Sequence, residues 1–232
     1  MSDSLDYLII SPHPDDAELG VGGTIGVLKA EGASVGILDL TNGEPTPHGT
    51  PSIRGKETEE ATKVLKLDYR KNLGLKNREL VSNLESRTLL AEEIRRVKPK
   101  NLFVPYWEDV HPDHVEAYEL ALGARFWSKL SKTHLAGEPH FPSKVFYYFS
   151  IHLRIHPKPS FILDISDHIE TKMKALACYQ SQLITGRTTA FPTLLDDVKD
   201  RNRYWGWAIG KAYGEPLLTK EEVGLKSLGN LA

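Results

Sequence analysis

Apolar residues in this chain fall into short continuous runs separated by stretches where they recur every three to four positions, the pattern of buried strands alternating with helices. Leu5 to Ile10 reads as a strand, Gly20 to Ala30 as a helix packed closely through its glycines, and Ser34 to Leu40 as a second strand. This βαβ unit implies a parallel sheet. The pattern repeats with a helix near Ile53 to Leu67, a short strand near Arg70 to Leu73, and a helix whose stripe is Leu84, Leu89, Leu90, Ile94 and Val97. Pro99 closes that helix, because proline lacks the amide donor and disfavours helix in the residue before it. A strand at Asn101 to Pro105 follows, then a helix from about Asp113 to Leu130 and a Pro/Gly/His-rich connector from Lys132 to Ser143. Apolar runs at Val145 to Ile151 and Phe161 to Ile165 precede two late helices, about Ser166 to Gln180 and Leu194 to Tyr213, and the Lys220-Glu221-Glu222 tail reads as solvated. The expected fold is α/β, a single-domain Rossmann-like three-layer structure over residues 1–232 with a mostly parallel sheet. In the common doubly wound order 3-2-1-4-5, the first and fourth strands lie side by side where the chain direction reverses.

Composition narrows the partners. With 29 Lys and Arg against 31 Asp and Glu, the formal net charge is -2, and no window carries the basic stripe of a nucleic-acid binder. Cys178 is the single cysteine, which excludes an internal disulfide framework and a cysteine-based zinc finger and reads as a core thiol. No apolar run reaches the length of a membrane span, and the opening Met-Ser-Asp-Ser-Leu-Asp is acidic where a secretory signal is basic. The expectation is a cytoplasmic protein with no membrane or nucleic-acid partner.

Two clusters carry chemistry. Ser11-Pro12-His13-Pro14-Asp15-Asp16-Ala17-Glu18 follows the first strand, and Trp107-Glu108-Asp109-Val110-His111-Pro112-Asp113-His114 follows the fourth. Ligands in open α/β sheets bind outside the carboxyl ends of strands at the switch point, so topology brings the clusters together. Imidazole nitrogen and carboxylate oxygen suit zinc, and a catalytic zinc keeps three protein ligands and one open position. The available ligands are His13, Asp15 or Asp16, and His111 or His114. Gly20-Val21-Gly22-Gly23-Thr24 with Asp39 invites a competing, nucleotide-binding reading, but a G-x-G-x-x-G pattern needs glycine where Ile25 stands. The preceding carboxylates also occupy the place of a pyrophosphate.

Pro12-His13-Pro14-Asp15-Asp16-x-Glu18 with Gly22-Gly23-Thr24, followed by His111-Pro112-Asp113-His114, resembles the PIG-L/LmbE-like zinc N-deacetylases from about Leu5 to Gln182. The runs Asp39-Leu40-Thr41-x-Gly43-Glu44, Gly49-Thr50-Pro51-x-Ile53-Arg54 and Arg70-x-Asn72-Leu73 resemble the branch that deacetylates N-acetylglucosaminyl-malate in making bacillithiol. The resemblance implies removal of an N-acetyl group from an N-acetylglucosaminide with release of acetate. It makes His13, Asp16 and His114 the metal ligands, Asp15 the general base and His111, when protonated, the stabiliser of the oxyanion. Asp113 would orient and charge that imidazole, and Arg54 would hold a substrate carboxylate or sugar hydroxyls. Zn2+ is the implied ion, with Fe2+ or another divalent metal as alternatives. In that branch an arginine is expected immediately before the His-Pro-Asp-His motif. Val110 stands there, so another N-acetyl-amino-sugar conjugate is the alternative substrate. Asn42, Glu44 and His48 read as loop-shaping residues, and Tyr106, Trp107 and Tyr204-Trp205-Gly206-Trp207 as core or interface aromatics. His152 and His156 read as surface or connector histidines, and Tyr213 is a weak candidate for the pocket. Resembling proteins form trimers and hexamers, so a homo-oligomer is compatible.

Overall fold

The structure is a computed structural model and describes residues 4–149, 152 and 157–225. Among these, seven strands form one sheet in the order β3-β2-β1-β4-β5-β7-β6. The parallel part comprises β1 (Tyr7–Ser11), β2 (Val35–Thr41), β3 (Tyr69–Leu75), β4 (Asn101–Pro105) and β5 (Lys144–Tyr148). Its order is the 3-2-1-4-5 expected from the sequence. Beyond it, β6 (Phe161–Asp164) and β7 (Gly214–Leu218) are antiparallel, with β7 inserted between β5 and β6.

Helices cover both faces: α1 (Asp16–Ala30), α2 (Pro51–Leu65), α3 (Leu84–Val97), α4 (Pro112–Ser128), α5 (Ile169–Ala177), the single turn α6 (Gln180–Leu183) and α7 (Leu194–Trp207). Strand alternation divides the core. Leu8 and Ile10 of β1 face α3 and α4 with Leu90, Ile94, Leu120 and Ala121, whereas Ile9 faces α1 with Val21 and Ile25. A smaller cluster around Tyr179 and Leu183 joins α2, α5, α6 and α7, and Cys178 lies half-buried against it.

The structure corrects several elements. Helix α1 begins at Asp16, four residues before the expected Gly20. The expected helix over Ser166 to Gln180 is a short 3-10 turn followed by α5 and α6, and α7 stops at Trp207 instead of reaching Tyr213. The tail is not free in solvent, because Lys220 donates to the Tyr118 hydroxyl at 2.6 Å and Glu221 meets Arg125 at 2.8 Å. Residues 150 and 151, the end of the expected fifth strand, lie outside the described residues.

Strand β7 explains the glycine-rich segment. Helix α1 is kinked at Val21 (φ -138°, ψ 22°), which releases the amides of Gly23 and Thr24. Both donate to the Glu215 carboxylate, at 2.9 and 2.6 Å, and the Thr24 hydroxyl adds a third bond at 2.6 Å. Glu215 is also paired with the buried Lys172 ammonium at 2.6 Å, which in turn donates to the Leu19 carbonyl at 2.8 Å. Side chains fill the space beside the glycines: a Cβ on Gly20 would meet the Tyr148 ring, and one on Gly23 would meet Ile165. These amides and this space are spent inside the fold, so the nucleotide-binding reading has no phosphate cradle here.

Glu215→Leu would strand the Lys172 ammonium in the core and uncap two amides, with an expected loss of about 3–5 kcal/mol in urea unfolding. The pair Glu215→Leu with Lys172→Met is expected to recover most of that loss. A single substitution costing under about 1 kcal/mol would contradict this account of the buried pair.

Candidate metal centre

The loop after β1 is built to place adjacent carboxylates in different directions. The Ser11 hydroxyl donates to the His13 carbonyl at 2.7 Å, and Thr41 holds the Pro12 carbonyl with both its amide and its hydroxyl at 3.1 Å. Asp15 then takes φ 114°, ψ -29°, a left-handed conformation that costs a residue with a Cβ of order 1–3 kcal/mol. This left-handed step is what separates the two acids. Asp16 turns toward His13 and His114, while the Asp15 carboxylate lies 3.3 Å from the Arg54 guanidinium.

The second cluster sits where α4 begins. His111 caps that helix: its Nδ1 accepts the Asp113 amide at 3.2 Å, and Pro112, which has no amide to satisfy, fills the first turn. His114 follows on the buried side, 1% exposed.

The clusters meet in a chain of carboxylates and imidazoles. His13 Nδ1 lies 3.0 Å from Asp16 Oδ2, and its Nε2 lies 3.0 Å from Asp113 Oδ2. His114 Nδ1 lies 2.9 Å from Asp109 Oδ2. His114 Nε2 is 3.2 Å from Asp16 Oδ2 yet has no hydrogen-bond partner, an orphaned buried nitrogen aimed at the point between His13 and Asp16. The three ligand atoms of His13, Asp16 and His114 lie within 4.8 Å of one another. Each imidazole thus has one nitrogen turned to this point and the other held by a carboxylate, the arrangement that fixes tautomer and raises basicity in histidine-ligated metal sites. The donor set of two imidazoles and one carboxylate, with an unsatisfied nitrogen among them, fits a divalent cation.

Electrostatics agree. Burial opposes charge on His13, but the hydrogen bonds its ring makes to the Asp113 and Asp16 carboxylates overcome it and lift the ring to about 9. For His114, burial is outweighed by the Asp16 charge and the Asp109 bond, and the ring rises to about 10. Burial would raise Asp16, yet the facing His114 and His13 hold it well below the carboxylate range. Asp15 goes the other way: burial pushes it up to about 7 against the pull of Arg54. His111 is lowered by burial and by its two histidine neighbours.

The remaining residues line a cavity of about 770 Å³ whose floor is His13, Asp15 and Asp16 and whose walls include His111, His152, Arg54 and Arg78. Asp113 is turned to His13, not to His111 as the sequence suggested; only its backbone amide serves His111. His111 therefore carries its proton on Nε2 while Nδ1 accepts, so the form built into the helix start is the neutral imidazole. Arg54 is 4% exposed and reaches Asp15 from α2. Glu44 accepts from Thr46 and Gln182, and Asn42 from the Glu44 amide, so both shape their loop. His48 packs beside Gly186, Tyr213 lies against Lys199 and Arg203, and neither lines the cavity. Val110 is 75% exposed and outside the cavity wall. Tyr106 and Trp205 are core residues, Trp107 is half-buried, and Tyr204 and Trp207 are exposed. His152 is exposed beside His111 and His114, and His156 lies outside the described residues.

Sequence reasoning missed two contributors. Asp109 stands inside the quoted motif with nothing in its neighbours to mark it as the His114 partner. Arg78, with φ 63°, donates its backbone amide to Asp113 at 2.7 Å and gives its guanidinium to the Pro45 carbonyl, joining the cavity roof to the acid behind His13.

Residues 8–125 match the GlcNAc-PI de-N-acetylase (PIG-L) family. Diacetylchitobiose deacetylase of Thermococcus kodakarensis is 30% identical over 196 residues, covering 78% of this chain and 71% of its own. A probable N-acetyl-alpha-D-glucosaminyl L-malate deacetylase 2 of Bacillus anthracis is 25% identical, covering 80% of this chain and 84% of its own. Among solved structures, a conserved protein of Thermus thermophilus superposes with a TM-score of 0.87 at 41% identity, covering 95% of this chain and 97% of that one.

With His13 and His114 at about 9 and 10, both rings hold a proton near neutrality that a cation must displace. Metal uptake at pH 7 is therefore expected to release about two protons, and affinity to strengthen as pH rises toward 9. Calorimetry of Zn2+ binding in buffers of different ionisation enthalpy measures this directly; proton release near zero would contradict the ligand assignment.

Proposed function

The chain belongs to the PIG-L family, and from that premise we propose that it is a zinc-dependent N-deacetylase, hydrolysing the acetamide of an N-acetylglucosaminide to a free amine and acetate. The observation that carries the reading is that Asp15 and His111 line one cavity with His13 and Asp16, whose ligand atoms cluster with that of the buried His114. An ion held by His13, Asp16 and His114 would polarise the acetamide carbonyl and acidify water. Ferrous iron suits the same ligands and is the alternative.

The residues of the chain account for the remaining steps. Asp15, carried out of the ligand set by its left-handed backbone, accepts the proton of the attacking water, and Arg54 keeps that carboxylate oriented. Charge grows on the carbonyl oxygen as the tetrahedral adduct forms. His111 Nε2–H, its tautomer set by the Asp113 amide at Nδ1, donates to that oxygen. A neutral donor serves here, so His111 needs no protonation in the resting site. When the C–N bond breaks, Asp15 returns its proton to the amine nitrogen and acetate leaves. Asp113 and Asp109 act behind the ligands, each holding the far nitrogen of one imidazole. Arg54, at the cavity wall, is the proposed contact to the sugar or its substituent.

Relatives acting on diacetylchitobiose and on N-acetylglucosaminyl-malate are both similar to this chain, so the substrate is an amino-sugar conjugate in which the N-acetylglucosamine unit is the shared part. N-Acetylglucosaminyl-malate in bacillithiol synthesis is one such substrate. A lone cysteine outside any disulfide agrees with a cytoplasmic setting.

Acetate release from N-acetylglucosaminyl-malate and from diacetylchitobiose, measured side by side with the Zn2+-loaded protein, tests this reading. Asp15→Asn is expected to abolish release, and His111→Ala to reduce turnover roughly a hundredfold with metal content unchanged. Loss of metal in His111→Ala would make it a ligand instead. A metal-loaded protein that releases acetate from neither substrate would overturn the proposed reaction.

A further inference from the structure

The C-terminal strap beyond β7 ends on the metal centre's own supports. Lys220 places its ammonium 4.1 Å from the Trp107 ring centroid, 4.8 Å from that of Tyr118 and 5.7 Å from that of Tyr147, all within cation–π range. It also donates to the Tyr118 hydroxyl at 2.6 Å. The three rings are mutually packed: Trp107 stands edge-on to Tyr147 at 5.3 Å, and Tyr118 lies 6.2 Å from Trp107. The strap is fixed at two more points, Glu221 to Arg125 at 2.8 Å and the Glu222 carbonyl to Lys144 Nζ at 2.8 Å.

The aromatic partners are placed to matter. Trp107 is four residues before His111, at the root of the segment that carries Asp109. Tyr118 is four residues after His114 on α4, hence on the same helix face. One ammonium therefore bridges the chain entering the His111–His114 turn and the helix leaving it. Inside that turn, Asp109 Oδ1 accepts the His111 amide at 3.0 Å while Oδ2 holds His114 Nδ1 at 2.9 Å, so a shift of the 107–111 backbone moves both histidines.

We propose that Lys220 is a positioning residue for the metal centre: its ammonium, seated among Trp107, Tyr118 and Tyr147, fixes the 107–111 segment and through Asp109 the orientation of His114. The inference rests on the metal-site reading above and assigns Lys220 no contact with substrate. A solvated lysine on a C-terminal tail would leave the ligands unaffected. A lysine that clamps both ends of their turn does not.

The test compares wild type with Lys220→Met, Lys220→Arg and Tyr118→Phe, using Co2+ as the probe ion. Lys220→Met is expected to raise the Co2+ dissociation constant about tenfold, the lower end of what loss of an outer-sphere partner does to metal affinity. Lys220→Arg keeps a cation on the rings and is expected to restore most of it. Amide hydrogen exchange, read on metal-free protein, is expected to quicken roughly fivefold or more over residues 107–112 in Lys220→Met with the rest of the sheet unchanged. Tyr118→Phe keeps the ring and removes the acceptor, so it is expected to shift both readouts in the same direction by less, and it answers the question even where Lys220→Met does not fold. Wild-type Co2+ affinity and wild-type exchange over 107–112 in the variants would overturn the proposal. Tight Co2+ binding by wild type without acetate release would overturn the deacetylase reading and leave this one standing.

Discussion

Everything at the carboxyl edge of this sheet serves one constraint: acids and imidazoles must be held close together away from water. Asp113, His13, Asp16, His114 and Asp109 form a continuous alternating chain, and every one of these side chains is almost inaccessible. Burying a carboxylate alone is strongly unfavourable, and it becomes tolerable when each lone pair has a donor. The geometry meets that demand at both ends, where Asp113 collects the Arg78 and Leu80 amides and Asp109 collects the His111 amide. In the middle Asp16 gains the His13 amide as well as its ring. The unsatisfied member is His114 Nε2, at the point where a divalent cation would fit between the imidazoles and Asp16.

The rest of the fold can be understood as the frame for that chain. Helix α1 starts at Asp16 and must still pass Tyr148 of β5, which donates its hydroxyl across β4 to the Ile10 carbonyl of β1. Gly20 allows the passage, and the kink that follows is stabilised from the far side by Glu215 and Lys172. Below the loop, Arg70 grips Asp39 with two nitrogens and Glu18 with a third, and Tyr179 donates to the same Glu18 oxygen. Two buried ionic networks thus flank α1.

The parallel half of the fold was legible because its signals are local: apolar runs bounded by glycine and proline, helical stripes, and two His/Asp clusters each following a strand. Topology then did the long-range work of placing His13 beside His114. What stayed hidden depends on contacts that carry no local mark. Strand β7 contains Glu215 and Pro216 within five residues, a composition that argues against a strand, and it is held by its long-range pairing with β5 and β6 while Glu215 bonds the α1 kink. Asp109 looks like its exposed neighbours Glu108 and Val110 until His114 is placed over it. The Lys220 tail has the charge pattern of a solvated terminus, and only the convergence of Trp107, Tyr118 and Tyr147 shows otherwise. The resemblance implies an oxyanion role for His111, whose tautomer can be read only once the helix start supplies the Asp113 amide.

Different parts of the chain build the two sides of the cavity. The floor residues ride on strand ends locked into the parallel sheet. The roof is tied together by Gln182, which bonds Glu44 and Thr46, and by Arg78, whose guanidinium reaches Pro45 while its amide holds Asp113 behind the floor. In that light Val110 matters less as a missing cation than its position before His111 suggests. It is exposed and outside the cavity wall, whereas Arg78, Arg187 and Arg201 all line the cavity. Positive charge is therefore present in this pocket without a cation at position 110.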